Sequence, residues 1–426
     1  FTNARIREPQ YGAEFEDLSF SLKSNPFDDR ASIPPLTHAV NDRTWPDRGS
    51  AAAGRSYPQV FGQPGIKDTT VYDTWGGPAL YVDTTGSTRR FLVAGHECTL
   101  PATVKIINTA KINDHAGPYS VYTSTDGLGH TVSLIDVPSA VSPMVLDGDA
   151  DYVVLWITGG GLPDRRGATH MHGAGDILRH FLQYSGQIPV DAGRFEAAAE
   201  ILNTIRLDFV IEEPVRAWDW LRSNLLDLLP ASLGISGDGI YPVVWDRELS
   251  SADAVAAIDA DRDKWERTSP VGMEFIEGDP VNRFKIAHSK NMATGTLQEY
   301  SILDASRDAN DSGTDENIYA KISKSRYGIG EKDETAVILY RAASAFQILA
   351  YWSRIYGFPL YSIEYIAPLE WGWLRAGAVI SLTDPALHIE NQIAIVQAIE
   401  WSDGDMIGFR LSWLEDIPRD SRKTST

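Results

Sequence analysis

The strongest candidates for metal chemistry lie in a short histidine-rich stretch of the sequence. His170 and His172 alternate as residues of a strand do, which would place both imidazoles on one face. Asp176 and His180 follow at i and i+4, so a helix would also bring these two onto one face. Imidazole nitrogens and carboxylate oxygens are ligands that zinc accepts. The sequence lacks a His-Glu-x-x-His signature, and this stretch joins a glycine-rich loop to an ordinary helix. We therefore predict no metal and no cofactor.

Two other patterns could carry chemistry. His96 and Cys98 would share one face of a strand, as a nucleophile and its base could, but no helix N-terminus follows to lower the thiol pKa. We interpret Cys98 as a half-buried strand residue. The run Gly159-Gly160-Gly161 follows a predicted strand, yet it lacks the Lys-Ser/Thr ending of a phosphate-binding loop. We interpret it as a loop.

Carboxylates and tryptophans leave one enzymatic alternative open. Glu212 with Glu213, and Asp403 with Asp405, are carboxylate pairs close in sequence, but they lie where helix starts and tight turns favour acids. The chain has 12 tryptophans, which could line a carbohydrate groove, although core and subunit contacts explain most of them. A pair of carboxylates about 5–10 Å apart in a deep aromatic cleft would favour a carbohydrate-directed enzyme. We predict no catalytic residues.

Composition places the chain among ordinary globular proteins with an acidic surface. Its 426 residues are enough for several domains, and 43% of them are hydrophobic. There are 58 Asp and Glu against 38 Lys and Arg, a net charge of −20, which disfavours gripping a nucleic-acid backbone. No apolar run approaches the ~18 residues of a transmembrane helix. Because the chain begins with Phe1 rather than Met, we expect a segment upstream.

Hydrophobic periodicity and turn residues predict a β-dominated α+β fold with several domains. Residues 1–60 indicate an extended arm, and short strands at ~10–15-residue spacing over residues 61–165 indicate a barrel or sandwich. Residues 166–245 indicate a helical α+β domain. Residues 246–330 indicate a β-rich segment with a mobile acidic loop. Residues 331–426 indicate an amphipathic helix and a β-meander.

Individual elements can also be placed. Helices are predicted at 175–186, 191–207 with Asp191 as its cap, and 215–229. A long amphipathic helix is predicted from Asp333-Glu334 to Gly357, covering four antiparallel strands. Those strands are predicted at 360–366, 379–382, 393–401 and 406–413. No catalytic pocket is evident in this last module.

Three stretches, taken in order, resemble the baseplate (tail) hub proteins of long-tailed bacteriophages and phage-derived particles. The first runs from Gly54 to Gly65 and contains a "YPxVFG" phrase, Tyr57 to Gly62. The second runs from Gly173 to Asp246 and ends in a "GxYPV" phrase that begins at Gly239. The third runs from Leu374 to Glu415 and resembles the closing β module of such hubs. The resemblance covers most of residues 54–416.

The resemblance implies a non-enzymatic structural protein of the virion, at the tail tip, assembled in the host cytoplasm. It implies a homotrimer in which two tube-like β domains per chain form a pseudo-sixfold ring, adapting a sixfold tail tube to a threefold tip. The expected partners are a distal tail protein or tail tube ring above, the end of the tape-measure protein, and a central fibre or spike below. DNA would pass through without specific binding, and no membrane is involved. The alternative is a carbohydrate- or peptidoglycan-directed tail enzyme.

Overall fold

The computed structural model describes most of the chain. The described residues are 4–11, 18–24, 32–64, 66–67, 70–71, 77–98, 104–108, 111–115, 120–138, 155–157, 171–185, 189–236, 238–244, 249–290, 295–305, 317–401 and 406–415. In this part of the chain, strands outnumber helices, and the fold is a β-dominated α+β fold, as predicted.

The first part of the chain forms short paired strands. They are β1 (Ala4–Tyr11), β2 (Leu18–Ser24), β3 (Ser32–Ile33), β4 (Gln59–Phe61), β5 (Ile66–Lys67) and β6 (Thr70–Val71). Strands β1 and β2 form an antiparallel hairpin within the residues that were predicted to be an extended arm. Val40, Trp45 and Tyr57 are buried against the sheet that follows.

Seven antiparallel strands then form the N-terminal sheet, in the order β10-β9-β13-β7-β8-β12-β11. Its strands are β7 (Gly77–Thr85), β8 (Thr88–Ala94), β9 (Val104–Asn108), β10 (Lys111–His115), β11 (Ser120–Thr125), β12 (Thr131–Pro138) and β13 (Leu155–Ile157). Leu80, Val82, Leu92, Val132 and Leu134 form the buried face that Trp45 and Tyr57 cover.

A mainly helical layer follows the N-terminal sheet. It contains α1 (Ala174–His180) with a π-helical turn (Phe181–Ser185), α2 (Ala192–Leu202), β14 (Phe209–Ile211), β15 (Val215–Arg216), α3 (Ala217–Trp220) with a second π-helical turn (Leu221–Leu226), β16 (Ala231–Ser236) and β17 (Gly239–Val244). The predicted cap of α2 is confirmed, since the Asp191 carboxylate accepts a hydrogen bond from the Arg194 N–H at 3.2 Å. Strands β16 and β17 form an antiparallel hairpin.

The next segment contributes to two different sheets. Its elements are β18 (Ala256–Asp259), β19 (Glu266–Arg267), β20 (Gly272–Glu274), β21 (Arg283–Lys290), β22 (Leu297–Leu303), α4 (Ile318–Tyr327), β23 (Glu331–Thr335) and α5 (Ala342–Ile355). Strands β22, β21 and β23 form a three-stranded sheet in that order. The predicted acidic loop at 306–316 lies outside the described residues.

The C-terminal sheet also has seven strands. It adds β24 (Leu360–Pro368), β25 (Val379–Asp384), β26 (Ile389–Trp401) and β27 (Met406–Leu414) to β18, β19 and β20. The four predicted strands of the meander are therefore confirmed. The order along the main path is β18-β25-β26-β27-β24-β19, with β20 also paired to β24. All neighbours are antiparallel except β18 and β25, which are parallel.

Two expectations for the long helix were wrong. Helix α5 begins at Ala342, because Asp333 and Glu334 lie in β23, which pairs in parallel with β21. The helix also packs against β21 and β22 rather than covering the meander. Its buried residues, which include Phe346 and Trp352, share one large core with Phe284 of β21 and with the helical layer. The meander has its own core around Trp265 and Phe409.

Candidate functional site

The "YPxVFG" phrase lies at the meeting point of the N-terminal sheet, the helical layer and the approach to α5. Strand β4 pairs with β14, which places Phe61 opposite Phe209, with their rings stacked at 4.7 Å. Phe181 and Trp220 extend this aromatic cluster, with ring centroids 4.6 Å apart. All three phenylalanines are buried. The buried, stacked rings of this cluster anchor the phrase to the helical layer.

Gly62 is required at the end of the phrase for two reasons. Its φ is +63°, a left-handed conformation that side chains rarely adopt. A Cβ atom at this position would also lie 2.2 Å from the Asp208 Oδ1 atom and 2.5 Å from the Leu207 carbonyl oxygen. The backbone at position 62 therefore lies closer to Asp208 than it could if any residue with a side chain replaced Gly62.

Asp208 is fully buried and joins three segments of the chain. Its carboxylate accepts hydrogen bonds from the Gln63 N–H at 2.6 Å and from the Arg341 Nε at 3.0 Å, and it lies 3.1 Å from the His172 Nδ1. Burial by itself would raise the pKa of Asp208, but the hydrogen bond with His172 and the charge of Arg341 lower it below its ordinary value. We call the residues of this meeting point the central joint: residues 57–63, His96, His172, Asp208 and Arg341.

The segment that follows β8, residues 95–98, holds the other side of the phrase. The Gly95 N–H donates to the Pro58 carbonyl at 2.8 Å, and the Val60 N–H donates to the His96 Nε2 at 3.0 Å. A Cβ at Gly95 would lie 2.7 Å from the Tyr57 Cβ, so glycine permits this close approach. The Tyr57 hydroxyl donates to the Asp126 carboxylate at 2.7 Å. The phrase is thus fixed from both sides.

The "GxYPV" phrase lies at a second meeting point, between the helical layer and the C-terminal sheet. The Tyr241 hydroxyl donates to the Ala376 carbonyl, and Tyr241, Val243 and Ile395 are buried together. A Cβ at Gly377, whose φ is +83°, would lie 2.6 Å from a methyl group of Val243. We call Tyr241, Val243, Ala376, Gly377 and Ile395 the C-terminal joint. Residues of the second and third hub-like stretches therefore contact each other directly.

The predicted metal candidates do not come together among the described residues. His172 contacts Asp208, and the Asp176 carboxylate accepts from the Asn203 side chain at 3.0 Å. His180 lies edge-on against Phe61, with ring centroids 5.4 Å apart. His170 and the run Gly159-Gly160-Gly161 fall outside the described residues. Within the described part of the chain, no group of three or more His, Cys, Asp and Glu is arranged to hold a metal ion.

His96 and Cys98 do not form a nucleophile and its base. The two ring nitrogens of His96 contact the Val60 N–H and the Glu97 carbonyl oxygen. Cys98 is buried, and burial raises the pKa of its thiol to about 11. A thiol with that pKa is almost entirely protonated near neutral pH, so it is a poor nucleophile.

A cluster that looks catalytic was missed in the sequence because its members come from two paired strands. The His288 Nε2 lies 3.0 Å from the Ser301 Oγ, and the His288 Nδ1 lies 2.9 Å from the Ser289 Oγ. Ser289 also has a φ of +60°. However, His288, Ser289 and Ser301 are at most 3% exposed, so a substrate has no access to either hydroxyl. This geometry is that of a satisfied buried hydrogen-bond network.

Two surface clefts flank α4, with volumes of about 450 and 630 Å³. The carboxylates that line them include Glu277, which contacts Lys332, and Glu331, which contacts Arg283. Both carboxylates are engaged in ion pairs with these cations. The tryptophans of the core are engaged in packing: Trp265 stacks on Phe409 and Trp220 on Phe181. Two of the acids that line the clefts are therefore held in ion pairs, and these two tryptophans are held by ring packing.

Three solved structures are similar to this chain over most of its length. A chain in the virion of the native gene transfer agent (GTA) particle gives a TM-score of 0.46 at 11% identity, covering 90% of both chains. The tail protein from Neisseria meningitidis MC58 gives 0.32 at 12% identity, covering 84% of this chain and 96% of that one. The 43 kDa tail protein of prophage MuSo2 from Shewanella oneidensis gives 0.31 at 10% identity, covering 86% and 99%.

No known family profile and no curated protein sequence matches the chain. In the described residues, no helix has both the length and the hydropathy needed to cross a membrane.

Proposed function

We propose that this chain is a structural baseplate hub protein of a phage tail. Three copies would form a ring that adapts the sixfold tail tube to a threefold tip and lines the DNA channel. A distal tail protein or tube ring would bind above, together with the end of the tape-measure protein, and a central fibre or spike would bind below. In this role the protein transforms no substrate and works at the tail tip of the virion.

One observation carries the proposal: the described part of a single chain contains two seven-stranded sheets of similar size, one toward each end of the sequence. Three copies of such a chain supply six sheets, the content that a pseudo-sixfold ring requires from a trimer. Closing sheets into a ring would also cover edge strands that are otherwise prone to aggregate.

The positions of the hub-like phrases support the same role. Their residues lie in the central joint and the C-terminal joint. In these joints, Gly62 allows the backbone to approach Asp208, and Gly377 allows it to approach Val243. None of these phrase residues lines either of the two clefts. The phrase residues thus hold the helical layer against the N-terminal and C-terminal sheets. A structural protein needs such fixed connections between its parts.

Net charge gives the proposed channel a physical rationale. Duplex DNA carries one negative charge per ~1.7 Å and would adhere to a basic wall. The chain has a net charge of −20, so we propose that carboxylates are enriched on the inner wall of the ring. Screening over ~8–10 Å confines the repulsion to the region near the wall, which prevents adhesion without blocking passage.

Native mass spectrometry of the purified chain tests the assembly directly. The proposal predicts a mass of three copies, stable at micromolar concentration. A clean monomer that is also absent from purified tail particles would contradict it. Hydrolysis of peptidoglycan by the purified chain, lost when a cleft carboxylate such as Asp279 is replaced by Asn, would instead support the enzymatic alternative.

Replacing several inner-wall acids with lysine tests the channel separately. Assembly should be unchanged, and DNA ejection should slow, more so at low salt because screening is weaker. A ring whose inner wall is neutral or basic would remove the basis for this part of the proposal.

A further inference from the structure

We propose that the central joint is a pH-sensitive latch, in which protonation of His96 releases the "YPxVFG" segment from the N-terminal sheet. This inference does not depend on the tail function. It concerns the contact between the "YPxVFG" segment and the N-terminal sheet. The basis is the direction of each hydrogen bond around His96.

The hydrogen bonds of His96 fix its protonation state. A backbone N–H can only donate, so the His96 Nε2, 3.0 Å from the Val60 nitrogen, must carry a lone pair. The proton of the neutral ring then lies on Nδ1, which donates to the Glu97 carbonyl oxygen at 2.8 Å. Both ring nitrogens are thereby used in the neutral form. Protonation of Nε2 would replace the bond to Val60 with two donors that face each other.

The surroundings of His96 do not favour a positive charge. Among the described residues, the charge of His96 acts on His180 of α1, whose own ring lies against Phe61. The Glu97 backbone carbonyl accepts a hydrogen bond from His96, and the Ser133 hydroxyl donates to the His96 carbonyl at 2.8 Å. Cys98 is a protonated thiol, so it adds no negative charge beside the ring. His96 is half-buried, and the burial of its ring lowers its pKa to about 4. Burial and the charge of His96 lower the pKa of His180 to about 4 as well.

A third histidine, His38, lies against Tyr57, the first residue of the phrase. The His38 ring is 5.8 Å from that of Tyr57 and 4.3 Å from that of His130. The His38 Nδ1 is buried, and no described residue forms a hydrogen bond with it. Burial and His130 lower the pKa of His38, partly offset by the Asp126 carboxylate. Three histidines that the fold keeps neutral therefore contact Tyr57, Val60 and Phe61 in turn.

The direction of the pH effect follows from linkage. The pKa of His96 is lower in the folded chain than its ordinary value of 6.5, so the folded joint binds fewer protons than the open one. The joint is therefore most stable above pH ~6.5 and loses stability as the pH falls toward the folded pKa. For His96 alone, this predicts that the opening equilibrium rises roughly tenfold between about pH 7.5 and 5.5.

Hydrogen exchange of the Val60 amide in the full chain is the direct test, because this amide donates to His96. After correction for the intrinsic pH dependence of exchange, its protection should fall roughly tenfold or more between pH 7.5 and 5.5. In His96→Gln, the amide oxygen of the glutamine can still accept from Val60 but does not titrate, so most of this fall should disappear. His388→Asn is the matched control, because His388 is an exposed turn residue with a φ of +55° that asparagine tolerates. It should behave as the wild type does.

Two results would overturn the proposal. One is a Val60 protection that is unchanged between the two pH values in the wild type. The other is an equal fall in wild type and His96→Gln. If His96→Gln does not fold, the titration of the wild-type histidines by nuclear magnetic resonance decides instead. A His96 pKa near 6.5 would then contradict the latch, and a value near 4 would support it.

Discussion

The Arg341 guanidinium donates a hydrogen bond to the Asp208 carboxylate across 3.0 Å, and both side chains are buried. Arg341 immediately precedes α5, and Asp208 immediately precedes β14. The two residues are 133 positions apart in sequence. This single contact therefore fixes the start of the longest helix to the strand that pairs with the "YPxVFG" phrase.

Breaking this pair should destabilise the protein strongly. Asp208→Asn leaves the Arg341 charge buried without a counter-charge, which costs about 3 kcal/mol or more. Urea unfolding at neutral pH, followed by fluorescence, measures the change. The matched control is Glu364→Gln, which breaks the exposed contact with Arg410 and should cost only ~0–1 kcal/mol. Equal effects of the two substitutions would show that Asp208 does not hold the central joint.

Gly62→Ala should be more destabilising than Gly54→Ala. Both glycines have positive φ, so alanine suffers backbone strain of about 1–2 kcal/mol at either position. Only at Gly62 would the new Cβ also collide with Asp208 and Leu207, since nothing lies within 4 Å of the corresponding position at Gly54. We expect the collision to add about 1–3 kcal/mol, measured by the same unfolding experiment. Similar losses for both variants would contradict the close approach.

The Asp208 carboxylate should also contribute to acid unfolding. The pKa of Asp208 is lower in the folded chain than its ordinary value. Above that ordinary value, the carboxylate therefore contributes its full stabilisation of the folded state. The contribution is lost as the pH falls through the still lower folded pKa. Compared with wild type, Asp208→Asn should therefore show a smaller loss of stability on acidification below about pH 4. Parallel pH profiles for the two proteins, measured by unfolding midpoints, would show that this carboxylate is not held in its charged form.

Cys98 should be unreactive in the folded protein. Burial raises the pKa of its thiol to about 11, so only about 0.1% is thiolate at pH 8, and the side chain is 9% exposed. An aromatic disulfide reagent should react slowly with the native chain and at the ordinary thiol rate in urea. Rapid reaction without urea would show that the segment after β8, residues 95–98, opens readily.

The local parts of the fold were predictable from the sequence. The cap at Asp191 and the strands of the meander depend on neighbouring residues, and the structure confirms both. Helix α5 was predicted to start too early because Ile338 and Leu339 continue the apolar spacing of the helix. These two residues are instead buried in the connection between β23 and α5. Periodicity alone cannot separate a buried connection from a further helical turn.

The joints were beyond the reach of sequence patterns. Asp208 resembles any polar residue before a strand, and its partners Gln63, His172 and Arg341 are spread along much of the chain. The phrase resemblance did mark Gly62 and Tyr241, but it did not indicate what these residues contact. Only the folded arrangement shows that Gly62 abuts Asp208 and that Tyr241 reaches Ala376.

Electron cryomicroscopy of the purified full-length chain tests the central proposal most directly. The account predicts a threefold particle in which six seven-stranded sheets, two from each of three copies, surround a central pore in a pseudo-sixfold ring. A particle with any other symmetry, or a trimer whose two sheets per chain do not share one ring, would contradict it.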